Sequence, residues 1–209
     1  MEMSYLGNTG IKISRLGIGL AEIGYQLTSE NILEAGNLLN TAIDSGINFL
    51  DTSTCYGVSE ELIGKTVSKR RAEYILATKC GHSPKRKPFE KNPEDWLAST
   101  VEQNIETSLK RLKTDYVDLL QIHSCSLETL KKGEVIEALQ KIRDSGKARF
   151  IGYSGDNEAA VYAMSLDLFD TLQTSFNLVD QKARQNLFPK VEKNNTGLII
   201  KRPIANASW

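Results

Sequence analysis

The feature that most constrains this chain is an alternation of short, continuously apolar runs with helical stripes. Runs at 16–19, 47–51, 74–78, 116–122, 150–153, 169–174 and 198–200 are predicted strands. Their unbroken apolar character is that of strands covered on both faces. Between them, residues 29–45 carry Ile32, Leu33, Ala35, Leu38, Leu39, Ala42 and Ile43 at helical spacing, with Thr28 or Ser29 as cap and Gly46 as stop. Residues 59–67 form a short predicted helix. Asn92 and Pro93 are expected to open a long one, whose buried face is Val101, Ile105, Leu109 and Leu112. Val135, Ala138, Leu139 and Ile142 line a helix that stops at Gly146, and helical segments follow at 158–164 and 180–193. A hairpin around Asn8-Thr9-Gly10 precedes the first of these strands.

Strand–helix alternation implies parallel pairing with right-handed crossovers, hence an α/β fold. The two candidates are a (β/α)8 TIM barrel and an open doubly wound sheet. The second should carry a glycine fingerprint after its first strand. In GIGLAEIG (17–24), Glu22 stands where the final glycine of GxGxxG belongs, which disfavours that candidate.

The chain's 209 residues can bury a sizeable core, and no linker or repeat divides residues 1–209 into more than one domain. A formal net charge of zero and short, mixed charge runs such as HSPKRKPFEK (82–91) argue against a nucleic-acid partner. The N-terminus lacks the pattern of a signal peptide, and no apolar run approaches the roughly 18 residues of a membrane span. Three cysteines, Cys55, Cys80 and Cys125, at irregular spacing suit small residues lining strand ends in a reducing cytoplasm; redox sensing is the minor alternative.

Four polar residues lie at or just beyond predicted strand ends: Asp51 and Tyr56 in DTSTCYG, Lys79 in ILATKCG and His123 in DLLQIHS. In a parallel barrel these side chains meet at one rim, where such barrels carry chemistry. A phenol is a weak acid, and an adjacent ammonium is expected to lower its pKa. Asp51 is the expected partner of that ammonium, and His123 a hydrogen-bond donor to a carbonyl oxygen. The set suits proton donation as hydride arrives at carbon, with a cofactor as hydride source. Taken singly, each has a plainer role: Asp51 a turn cap, Tyr56 a packed aromatic, Lys79 a solvated strand end, His123 a structural hydrogen-bonding residue. His82 has no assigned role, and the spacing of the histidines predicts no metal site.

With these residues in view, the chain resembles the aldo-keto reductases. GINFLDTSTCYGVSEELIGK (46–65), SLKRLKTDYVDLLQIHS (108–124) and ALQKIRDSGKARFIGYS (138–154) are similar to the family's signatures and stand in the family's order. The resemblance implies a (β/α)8 barrel reducing an aldehyde or ketone with NADPH, with Tyr56 as general acid, Lys79 and Asp51 tuning it, and His123 orienting the carbonyl. It implies cofactor contacts from Asp51, Ser154 and Gln173, and from Lys201, Arg202, Pro203 and Ile204 after the last strand. The family's Ser-Asn pair is Ser154-Gly155 here, followed by Asp156, so Gly155 marks a departure.

The family continues beyond residue 209 with helix seven, strand eight and helix eight, which carry substrate-loop and 2′-phosphate contacts. The chain therefore reads as an incomplete barrel: a fragment, a natural short form that pairs its open edges by self-association, or a non-catalytic, cofactor-sensing or protein-binding module.

Overall fold

The computed structural model describes residues 1–84, 90 and 92–205. The elements run β1 (Met3–Tyr5), β2 (Lys12–Ser14), β3 (Ile18–Gly19), α1 (Ala21–Gln26), α2 (Ile32–Asp44), β4 (Phe49–Asp51), α3 (Ser59–Thr66), β5 (Ile75–Cys80), α4 (Ala98–Leu112) and β6 (Val117–His123). They continue with α5 (Leu127–Lys132), α6 (Glu134–Asp144), β7 (Ala148–Ser154), α7 (Asn157–Ser165), β8 (Thr171–Ser175), α8 (Ala183–Asn186), α9 (Phe188–Asn194) and β9 (Gly197–Lys201).

Among the described residues, β3 to β9 form one seven-stranded sheet in chain order, every pair parallel. The sheet curls. Four strand steps separate β4 from β8, about 19 Å in a flat sheet, yet Gln173 Nε2 on β8 donates to Asp51 Oδ2 on β4 at 3.0 Å. This is the predicted incomplete (β/α)8 barrel, with β3 and β9 as its edges.

Strand periodicity sorts the side chains. Leu50, Leu76, Leu120, Ile122, Ile151 and Leu172 join the core formed with the helices, which includes Val101, Ile105, Leu112 and Leu139. Alternate residues point to the concave face. At its floor, Phe49, Ala77 and Leu119 pack with Leu6, Ile13, Ile75, Phe150 and Ile199. The β1–β2 hairpin thus supplies Leu6 and Ile13 as a plug, which keeps the apolar floor away from water. One or two strand steps further on, the same face carries Asp51, Lys79, Gln121, His123, Ser154 and Gln173. Apolar floor and polar rim belong to one face, so the chemistry sits on strands anchored from below.

Several boundaries differ from expectation. Asn31, rather than Thr28 or Ser29, precedes α2; its Oδ1 accepts from Thr28 N at 2.9 Å and Thr28 Oγ1 at 2.8 Å instead of capping the helix. Asn92 does not cap α4. Its Oδ1 accepts from Glu94 N at 2.9 Å within a turn, and Trp96, at φ +69°, delays the helix to Ala98. The segment 180–193 is two short helices, with a proline in the first turn of α9. The six-residue helices α1 and α5 lie outside the predicted elements, because so short a segment shows little periodicity. In the charge run 82–91, positions Lys85, Arg86, Lys87, Pro88, Phe89 and Lys91 lie outside the described residues. No helix among the described residues is long and apolar enough to cross a membrane.

Candidate active site

The turn after β4 is held by backbone: Tyr56 N donates to Ser53 O at 3.0 Å and Val58 N to Gly24 O at 3.2 Å. Gly57 has φ +48°, and a Cβ there would stand 2.0 Å from Gly24 O, the carbonyl of a residue in α1. Only glycine meets both demands. Gly57→Ala should therefore cost about 1–3 kcal/mol, a fall in Tm of roughly 2–12 °C for a chain of this size. Gly146→Ala is the control for the left-handed backbone alone, since Gly146 has φ +80° and nothing within 4 Å of its Cβ position. Equal melting shifts for the two variants in scanning fluorimetry would show that the packing of the Tyr56 turn on α1 is not what Gly57 protects.

The fold brings Asp51, Tyr56, Lys79 and His123 together. Lys79 Nζ donates to Asp51 Oδ1 at 2.7 Å, Asp51 Oδ2 at 2.8 Å and Thr52 O at 2.9 Å, so all three ammonium donors are used. Nζ lies 5.1 Å from the centroid of the Tyr56 ring. The His123 ring stands edge-on to Tyr56 at 5.6 Å, and its Nδ1 is 3.3 Å from Ser53 Oγ and 3.5 Å from Cys55 Sγ.

The electrostatics correct one expectation. The Tyr56 phenol is pushed well above its ordinary range, not below it. Burial is the main cause; Asp51 and Cys55 add to it, and Arg202 opposes it. The physical reason is that the Lys79 ammonium is clasped by both oxygens of Asp51, so the pair presents little net positive charge to the phenol. Tyr56 is therefore held as the neutral, proton-bearing form.

A second polar chain leads away from Asp51. Ser154 Oγ donates to Gln173 Oε1 at 2.7 Å, and Gln173 Nε2 to Asp51 Oδ2. Gly155 follows with no side chain: a Cβ there would meet the Tyr153 ring at 2.6 Å, which accounts for glycine at this position. Asp156 faces the end of β9, where its Oδ2 lies 3.2 Å from Lys201 Nζ and 3.8 Å from Arg202 Nη1. Burial alone would raise the Asp156 carboxyl, but the Ser175 N–H, the Lys201 ammonium and the Thr174 hydroxyl together hold it low. Burial lowers Lys201, with Asp156 opposing. Pro203 and Ile204 lie exposed in the turn after β9.

Three site neighbours escape a reading of the sequence. Gln121 Nε2 is 3.5 Å from Asp51 Oδ1, and Gln121 Oε1 is buried with no hydrogen-bond partner among the described residues. A signal for it exists, since Gln121 and His123 are two apart on one strand and share a face. His82 and Trp96 have no such signal. Their rings stand 4.6 Å apart, and His82 is 4.9 Å from His123. The fold also gathers Cys55, His82 and His123, with one ligand atom from each within 4.8 Å of the others, although linear spacing sets them apart.

Comparison with known proteins agrees with this fold. A family model described as "Aldo/keto reductase family" matches residues 15–208. The L-galactose dehydrogenase of Arabidopsis thaliana is 33% identical over 98% of this chain and 66% of its own length. The NADH-specific methylglyoxal reductase of Escherichia coli is 26% identical over 95% of this chain and 66% of its own. An aldo-keto reductase from Bacillus halodurans, solved in its holo form, superposes with a TM-score of 0.85 at 26% identity, covering 99% of this chain and 67% of that one. The chain thus spans just under two thirds of the length of such curated relatives. With its seven parallel strands in barrel order and a match along nearly its whole length, the chain belongs to the aldo-keto reductase family.

Proposed function

We propose that this protein reduces an aldehyde or ketone to the alcohol with NADPH, and that Tyr56 is the general acid. The observation that carries this reading is the gathering at the rim of the Tyr56 ring, the His123 ring 5.6 Å from it and the Lys79 ammonium 5.1 Å from it, the last paired with Asp51. A reduced nicotinamide supplies hydride to the carbonyl carbon when bound. Tyr56 gives its proton to the carbonyl oxygen, so the C=O bond becomes an alcohol and the phenol a transient phenolate that solvent reprotonates. His123 donates a hydrogen bond that orients the same oxygen. The Lys79 ammonium, 5.1 Å from the ring centroid and held by Asp51, and Arg202, which opposes the upward shift of the phenol, are the cations that favour negative charge as it develops there.

The residues present fit such a cofactor. Ser154 and Gln173 offer a hydroxyl and an amide for a carboxamide, joined to each other and to Asp51 by hydrogen bonds. Lys201 and Arg202 share the single carboxylate of Asp156, which leaves positive charge at the end of β9 for a phosphate group. Among the relatives, the Escherichia coli protein is named for NADH, so the phosphate preference is a separate question. A reducing cytoplasm is the setting this reading expects.

The test is a titration of the 209-residue chain with NADPH and with NADH, following Trp96 fluorescence, then turnover of a generic aldehyde. Trp96 reports on the rim through His82, 4.6 Å away; Trp209 lies outside the described residues. Saturable quenching, tighter for NADPH, with turnover is the expected result. Binding without turnover would favour a cofactor-sensing module, and a folded chain that bound neither nucleotide would remove the reading.

A further inference from the structure

We infer that Cys55, His82 and His123 form a binding site for a borderline-soft divalent cation, zinc being the class example, at the mouth of the barrel. The three ligands come from three segments: the turn after β4, the loop after β5 and the end of β6. Their ligand atoms lie within 4.8 Å of one another, and each residue is partly exposed. Around tetrahedral zinc, with Zn–N of about 2.0–2.1 Å and Zn–S of about 2.3 Å, neighbouring ligand atoms stand about 3.3–3.8 Å apart. Cys55 Sγ and His123 Nδ1 already stand 3.5 Å apart, so only His82 has to close in.

The surroundings favour this donor set. Asp95 Oδ2 lies 3.8 Å from His82 Nδ1, outside hydrogen-bond distance, and a shift of a few tenths of an ångström would let the carboxylate accept from that nitrogen and orient the other toward a metal. The His82 ring is lodged between the rings of Trp96 and His123. Two imidazoles and a thiolate prefer zinc, cobalt or copper over magnesium or calcium. Three protein ligands at a partly exposed rim leave a fourth position for water. On binding, the cation takes the place of the Cys55 thiol proton, which is released to solvent, and the sulfur becomes the ligand. The other cysteines do not compete, because both are buried.

The consequence for activity rests on the reading above. A cation held by His123 removes the imidazole from a carbonyl substrate, so zinc acts as a reversible brake on the reductase. The ligand set itself is independent of that reading and is tested without turnover.

Titration of the full chain with Co²⁺ alone should give one equivalent bound, with thiolate-to-cobalt charge-transfer absorption and the strong visible bands of four-coordinate cobalt. Cys55→Ser should remove the charge-transfer band, and Cys125→Ser should leave it. His82→Asn should weaken binding by more than about tenfold, and Asp95→Asn by about 10–100-fold through its outer contact. Absence of the band from the parent, or its persistence in Cys55→Ser, overturns the site. Zinc should inhibit aldehyde turnover by the parent, and His82→Asn, measured against its own uninhibited rate, should resist it. Cobalt bound as expected by a chain without turnover would leave the metal site standing and the reductase reading lost. Turnover without the cobalt band would mean the opposite, a reductase that lacks this metal site.

Discussion

Tyr56→Phe should lower aldehyde turnover by about 10²–10⁴-fold, the range for loss of a positioned proton donor. The variant keeps the ring that stands edge-on to His123 and lies 5.1 Å from Lys79 Nζ, so packing is conserved. What it loses is a proton that burial and Asp51 hold on the oxygen. A donor must carry its proton when the reaction calls for it, and a phenol raised above its ordinary range does so throughout neutral pH. The loss should fall on the rate at saturating aldehyde, while quenching of Trp96 by nucleotide is unchanged. Tyr25→Phe is the matched control, because the Tyr25 ring lies 6.1 Å from that of Tyr56 and its hydroxyl donates to Cys55 O at 3.0 Å. Parental turnover by Tyr56→Phe, or an equal loss in Tyr25→Phe, would take the proton-donor role away from Tyr56.

How much of this is legible in the sequence follows from what local pattern can encode. Continuous apolar runs and helical stripes locate the strands, because burial on both faces leaves few polar positions. The rim residues Asp51, Lys79 and His123 are visible as breaks in those runs. Helix starts are less legible. Asn92 and Pro93 look like a cap and first turn, yet Trp96 adopts φ +69° and sets its ring against Gly81, a long-range contact no local rule contains. The direction of the Tyr56 shift is hidden for a related reason. Proximity of a lysine to a phenol predicts stabilised phenolate, but the Lys79 charge is spent on Asp51, a partner twenty-eight residues away. The grouping of Cys55, His82 and His123 is likewise a product of the fold, since it spans three strand ends.

Lys79→Met should abolish turnover, and its effect on stability should be as large as its effect on rate. Lys79 is 1% exposed and Asp51 15%, so neither charge is well hydrated. Removing the ammonium leaves Asp51 with the Gln173 amide at 3.0 Å and the more distant Gln121. Breaking a buried pair in this way costs about 3–5 kcal/mol, because the remaining charge has no counter-ion. For a chain of this size that is a fall in Tm of roughly 6–20 °C. Methionine fills the space of the lysine stem, so lost packing contributes little. The double variant Asp51→Asn, Lys79→Met removes both charges and should recover much of the stability, since two neutral groups of similar shape need no compensation. Neither variant should turn over, because the ammonium 5.1 Å from the Tyr56 ring is absent from both. A single variant as stable as the parent would mean that the pair is hydrated. A double variant no more stable than the single one would mean that Lys79 acts through shape and not through its charge on Asp51. Turnover near the parental rate by either variant, assayed below its own melting transition, would show that the proton leaves Tyr56 without help from the Lys79 charge.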